Sequence, residues 1–157
     1  MRKQFIEKLT ELAEKNPKVI LIVGDVGFSF LEQFKDRFPN QFLNAGISEQ
    51  NMMGLAAGMA QEGWIPTIYT MKNFILLRPH EQLRNDIGFA NANVKLFGVA
   101  GSSAYRFLGM SHNLFDGEEQ DILRHIPNMK SYFETEETIK DRMEEEYKRI
   151  GPSYFAI

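Results

Sequence analysis

Hydrophobic positions along the chain switch repeatedly between a helical and a strand spacing. Phe5, Leu9 and Leu12 recur at i, i+4 and i+7 with charges between them, which predicts a helix ended by Asn16-Pro17. Lys18-Val-Ile-Leu-Ile-Val23 is a β-branched run bounded by Gly24, the pattern of a strand buried on both faces. Ser29 is placed to cap a second helix, roughly 29–37, which stops at Pro39-Asn40. A short strand follows over Gln41–Asn44. Ser48 then caps a helix running to Glu62, and Gly63 terminates it. Gly54, Ala57 and Gly58 give that helix a face that another backbone can approach closely. Ile65 to Thr70 reads as a strand, 74–90 as a helix irregular near Pro79, and Val94 to Ala100 as a strand. A long loop spans Gly101 to Gly117. Beyond it the pattern predicts a short helix over 118–125, a strand near 129–133, a charged and solvated helix over 134–149, and a last strand from Tyr154 to Ile157.

Strands alternating with helices predict an α/β fold: a three-layer α/β/α arrangement around a mainly parallel sheet. The 157 residues are expected to form a single domain over 1–157. Apolar residues make up 43% and charged residues 25%, an ordinary globular balance that excludes a coiled coil or a disordered tail. Net charge is −3, with no basic stripe for nucleic acid. The absence of cysteine excludes disulfides, thiolate metal sites and a cysteine nucleophile. The amphipathic N-terminus has no apolar signal core, and the longest apolar run, Val19–Val23, is too short to span a bilayer. A cytoplasmic protein is the expectation, with no membrane partner.

In open parallel sheets, ligands bind beyond the carboxyl ends of the strands. The loops Gly24–Gly27, Asn44–Ser48 and 101–117 lie there. Glu49, in the first turn of a helix, has two readings. It complements the helix dipole, or it is a carboxylate aimed into the crevice among apolar neighbours such as Ile47 and Met52. Phe74 reads as core or as a ring that faces a ligand. His112, in Gly109-Met-Ser-His112, reads as a solvated loop residue or as a proton donor and acceptor. His80 and His125 fall in helical patterns and read as structural. Gly24-Asp-Val-Gly27 lacks the second glycine in the place a Gly-Asp-Gly metal motif needs, and Gly101-Ser-Ser-Ala104 lacks the Gly-Lys that completes a phosphate cradle.

Asn44-Ala-Gly-Ile-Ser-Glu-Gln-Asn-Met-Met-Gly-Leu-Ala-Ala-Gly-Met-Ala60 strongly resembles the transketolase and deoxyxylulose-phosphate synthase family, in the segment of the pyrimidine-binding domain that carries its essential glutamate. The resemblance continues through Phe74-Ile-Leu-Leu-Arg-Pro-His-Glu-Gln-Leu-Arg-Asn-Asp86 and resumes at Gly109–His112 and Arg124–Met129, in order along essentially the whole chain. It implies the thiamine-diphosphate-binding fold and a set of roles. Glu49 would hydrogen-bond N1′ of the cofactor's aminopyrimidine, and Phe74 would pack on that ring. Asp25, Val26 and Met71 would lie beside the cofactor. His112 would face the reaction centre, with Arg78 or Arg106 toward the substrate. Met71 and Leu77 stand where the family has further aromatics.

The resemblance also implies a chemistry. The thiazolium of the cofactor loses its C2 proton to a base that is the cofactor's own 4′ nitrogen, primed by a proton shared between Glu49 and N1′. A water-poor setting strengthens that bond. The family holds the diphosphate and its Mg²⁺ (or Ca²⁺) in a different domain, so the expectation is a split enzyme. This chain would be the pyrimidine-binding subunit, paired with a separate diphosphate-binding subunit in an α2β2 heterotetramer, with helix 48–62 near a subunit contact. By itself it would bind cofactor weakly and catalyse nothing. The expected reaction is transfer of a two-carbon ketol unit between small sugar-type substrates. The alternatives are an acyloin synthase that decarboxylates a 2-oxoacid, a non-catalytic binding or regulatory module on the same fold, and a flavodoxin-like ligand domain.

Overall fold

A computed structural model describes residues 1–100 and 103–157, without the side chains of 103–106. Gly101, Ser102 and the side chain of Arg106 therefore lie outside the described residues.

The chain opens with α1 (Arg2–Lys15), whose buried face is Phe5, Leu9, Leu12 and Ala13. It leads into β1 (Val19–Val23), buried at every position. The next helix, α2 (Glu32–Arg37), starts three residues later than the sequence predicts. Ser29 is not its cap: it holds φ +60°, and its backbone N–H donates to Glu32 Oε1 at 2.6 Å. A 3₁₀ turn at Pro39–Gln41 precedes β2 (Phe42–Asn44).

Helix α3 (Glu49–Gln61) has Ser48 at its N-cap position, but the Ser48 hydroxyl donates to the Ala45 carbonyl at 2.8 Å instead of capping the helix. Gly63, at φ +78°, turns the chain into β3 (Ile65–Met71). Met71 is both the last residue of β3 and the N-cap of α4 (Lys72–Leu76), so strand passes into helix with no loop between them. The irregularity expected near Pro79 is a real break. After α4 come a single turn, α5 (His80–Gln82), and a π-helical segment, Leu83–Phe89.

β4 (Lys95–Val99) precedes a 3₁₀ stretch at Ser103–Ser111, where the sequence predicts a loop. α6 (Glu118–Arg124), β5 (Lys130–Tyr132), α7 (Ile139–Glu146) and β6 (Ser153–Ala156) complete the chain. α7 is shorter than the predicted 134–149 helix, and its charged residues are not all solvated. Glu146 is buried, accepting from Tyr132 Oη and Arg149 Nε, each at 2.7 Å.

The six strands form one parallel sheet in the order β2-β1-β3-β4-β6-β5. Successive residues of each strand point to opposite faces, and each face has its own apolar cluster. On one face Ile20, Ile22, Ile68 and Leu96 pack against Met52, Met53 and Ala56 of α3, Ile75 and Leu76 of α4, and Leu123 of α6. On the other, Leu21, Val23, Tyr69, Phe97 and Phe155 meet α1, Phe34 of α2 and Ile139 and Met143 of α7. Phe97 stacks on Phe155 with centroids 4.6 Å apart, and Phe5 stacks on Tyr69 at 5.2 Å. This is the three-layer arrangement read from the sequence. α2 carries the chain out from β1 over one face, and α3 returns it across β1 to β3 over the other. The boundary between β1 and β3 is thus a topological switch point, where a crevice opens beyond the strand ends. Among the described residues no helix is long and apolar enough to cross a membrane.

Candidate functional site

A cleft of roughly 330 Å³ opens at that switch point. Asp25, Val26 and Gly27 form one wall, Tyr69, Thr70 and Met71 of β3 the floor, and Val99 and Ala100 the far side. Asp25 is held in the left-handed region at φ +55°, a conformation Asp adopts more readily than most residues. Asn44 fixes it there: Asn44 Oδ1 accepts from the Asp25 backbone N–H at 3.0 Å, and Asn44 Nδ2 donates to Asp25 Oδ1 at 3.3 Å. The same Asn44 oxygen accepts from Gly46 N–H, so one side chain ties the loop after β1 to the loop after β2. Asp25, Val26 and Met71, expected together, share this cleft.

A second cleft of roughly 290 Å³ shares Ala100 with the first and is lined by His112, Lys72, Asn73 and Glu119. His112 is half-buried, with Nδ1 2.7 Å from the Ser111 hydroxyl. Its ring meets Phe74 edge-on, with centroids 5.1 Å apart.

Phe74 leads to the rest of the predicted set. The Arg78 guanidinium lies 3.7 Å over the Phe74 ring. Arg78 also donates from Nη1 to Glu49 Oε1 at 2.7 Å. Glu49, Phe74, Arg78 and His112 therefore form one connected cluster, although they come from α3, α4, the break after α4 and the segment after β4. Glu49 is only 6% exposed, whereas Ile47, expected as an apolar neighbour, points to solvent. Met52 is buried, but the group that meets the carboxylate is Arg78.

Three contributors are not among the residues that the sequence singles out. Asn73 is buried and donates to the carbonyls of Met110 and Asn113, at 3.1 and 2.7 Å, pinning the segment that carries His112. Lys72 pairs with Glu119 at 2.6 Å, and Glu119 also accepts from the buried Tyr154 hydroxyl at 2.6 Å. Arg2 also lines the first cleft. The polar Lys-Asn pair that interrupts an apolar stretch before Phe74 is the one cue that could have pointed to the first two.

The residue types fit an aminopyrimidine: a buried carboxylate that accepts a hydrogen bond and an aromatic face, both met here by the Arg78 guanidinium. Among the described residues no group of three or more His, Asp or Glu side chains is placed to hold a metal ion.

The transketolase pyrimidine-binding domain matches residues 1–156. The chain belongs to that family. This pyrimidine-binding domain is 35% identical, over 160 aligned residues, to a chain named as a putative transketolase C-terminal section in Methanocaldococcus jannaschii, covering 98% of this chain and 49% of that one. It is 31% identical, over 159 residues, to one of the subunits of an apulose-4-phosphate transketolase from Phocaeicola vulgatus, covering 96% and 50%. A solved split-gene transketolase, described as an inactive β4 tetramer, superposes with a TM-score of 0.85 at 30% identity, covering 99% of this chain and 50% of that one. The chain thus spans about half the length of the curated relatives it matches. Membership of the family implies dependence on thiamine diphosphate.

Proposed function

We propose that this chain supplies the pyrimidine-binding half of a split, thiamine-diphosphate-dependent transketolase-like enzyme that moves a two-carbon ketol unit between sugar-type substrates. A separate diphosphate-binding subunit, which would also hold the divalent metal, completes the active site in an α2β2 assembly. The observation that carries this reading is the buried Glu49 carboxylate, joined through Arg78 to Phe74 and through Phe74 to His112.

Bound thiamine diphosphate would supply a carbon nucleophile and an electron sink, as cofactors carry the hard chemistry. Glu49 would hold a shared proton at N1′ of the aminopyrimidine. Its burial makes that hydrogen bond stronger than it would be in water. Phe74 gives the ring a face to stack on. Asp25, Val26 and Met71, which line the switch-point cleft, would border the rest of the cofactor. His112, joined to Phe74 on one side and Ser111 on the other, can pass a proton to or from a substrate oxygen. Arg2 adds a cation suited to an anionic substrate group.

The test is reconstitution: this chain, its diphosphate-binding partner, thiamine diphosphate and Mg²⁺, assayed for ketol transfer. Turnover is expected only when all are present, and Glu49→Ala is expected to lose about a hundredfold or more. Retention of most activity by Glu49→Ala would refute the mechanism. Carbon dioxide release from pyruvate would move the reading to the acyloin synthase.

A further inference from the structure

We infer that Arg78 is an internal stand-in for the cofactor's ring, which must swing out before the seat can be filled; this rests on Glu49 and Phe74 being that seat. The guanidinium is planar and cationic. It lies 3.7 Å over Phe74 and offers an N–H to Glu49 Oε1 at 2.7 Å. A protonated aminopyrimidine asks for the same two things, an aromatic face to stack on and a carboxylate to receive its N–H. Both groups lie beneath a cover: Phe74 is 7% exposed and Glu49 6%. Neither lines the switch-point cleft or the cleft beside His112. The Arg78 side chain, 40% exposed, lies outside the two groups it covers and has a way out to solvent.

Its attachment suits movement. Arg78 sits in the break between α4 and α5, followed by Pro79, so its backbone belongs to no helix that would hold the side chain inward. Ring binding is then an exchange. The Arg78 guanidinium leaves Phe74 and Glu49 for water as the ring arrives, and the apparent affinity is reduced to the fraction of time that Arg78 is out of the seat. For nine-tenths occupancy the penalty is about tenfold.

The test uses the full chain and the isolated ring, 4-amino-5-hydroxymethyl-2-methylpyrimidine, followed by NMR. The Arg78 δ-protons are expected upfield, shifted by the Phe74 ring, and Phe74→Leu should abolish that shift. On titration with the pyrimidine they should move to ordinary arginine positions as the Phe74 ring signals change. Arg78→Gln should bind the pyrimidine about tenfold more tightly, whereas Glu49→Ala should bind it more weakly. If the Arg78 protons stay upfield with pyrimidine bound, or if Arg78→Gln binds no more tightly, the stand-in is overturned while the seat survives. If the pyrimidine perturbs neither Phe74 nor Glu49 in any variant, the seat itself is refuted, and the stand-in with it.

Discussion

Lys95 provides a test of the buried polar framework that is independent of catalysis. It is the first residue of β4 and has no exposed surface. Its Nζ donates to the carbonyls of Arg149 and Gly151, at 3.1 and 2.8 Å. Burial, with the nearby Arg149 charge, pushes its pKa down from 10.5 to about 7, against a smaller opposing pull from Glu146. Between those values the unfolded chain binds a proton that the folded chain lacks, so stability must rise with pH across this window. Each fully titrating unit contributes about 1.4 kcal/mol, and from pH 7 to 9.5 the gain is about 3 kcal/mol. Burial of the charged ammonium holds stability down below pH 7. Tyr132, Tyr147 and Tyr154 have raised pKa values and the opposite sign: they lower stability once unfolded tyrosines ionise near pH 10. The range is therefore best stopped at 9.5. The assay is urea unfolding from pH 7 to 9.5, followed by fluorescence of Trp64, the single tryptophan. Lys95→Met supplies the reference. Its stability at any one pH mixes the removed charge with two carbonyls left without their donor, but its slope does not. The difference between wild type and variant should grow by about 3 kcal/mol across the range. Parallel curves would refute the reasoning.

Glu144 pairs with Lys8 and Lys148, whose hydrogen bonds hold its carboxyl down at about 2. Its stabilisation should be lost as pH falls from about 4.5 to 2, and acid titrations of Glu144→Gln should show a shallower loss. Gly98→Ala would drive a methyl into the Tyr154 hydroxyl and to within 2.7 Å of its Cζ, with Tyr154 fully buried. A loss of about 1–3 kcal/mol in chemical unfolding is expected, and an unchanged midpoint would contradict the packing. Asn73→Ala removes both donors that pin the Met110 and Asn113 carbonyls. It should cost about 1–3 kcal/mol and speed hydrogen exchange over 107–114 more than elsewhere; uniform exchange would argue against the tether.

The strands were legible because buried parallel strands read as continuous apolar runs, and Val19–Val23 has no other plausible setting. Helix starts were less so. Ser29 carries the right side chain for a cap, yet it turns at φ +60° and the helix begins after Leu31, whereas Ser48 does hold the N-cap position of α3 with its hydroxyl on the Ala45 carbonyl. Of the candidate site, Glu49, Phe74 and His112 stand in ordered motifs, and the fold joins them into one cluster. Their coupling was not legible. Arg78 meets Glu49 across 29 residues of sequence, and only the packing of α3 and α4 on the same face of the sheet brings the two together. Lys95 illustrates the same limit. A lysine opening a strand reads as exposed, and the carbonyls that satisfy it lie 54 and 56 residues further on.

The direct passage from β3 into α4 divides the site into a part set by the sheet and a part that hangs from it. Phe74 takes its position from the strand that precedes it. The segment that carries His112 is tied to Asn73, which grips two of its main-chain carbonyls. Main-chain carbonyls survive almost any change of sequence. The side chains around His112 can therefore change, by evolution or by grafting, without loosening the tether that places the segment beside Phe74.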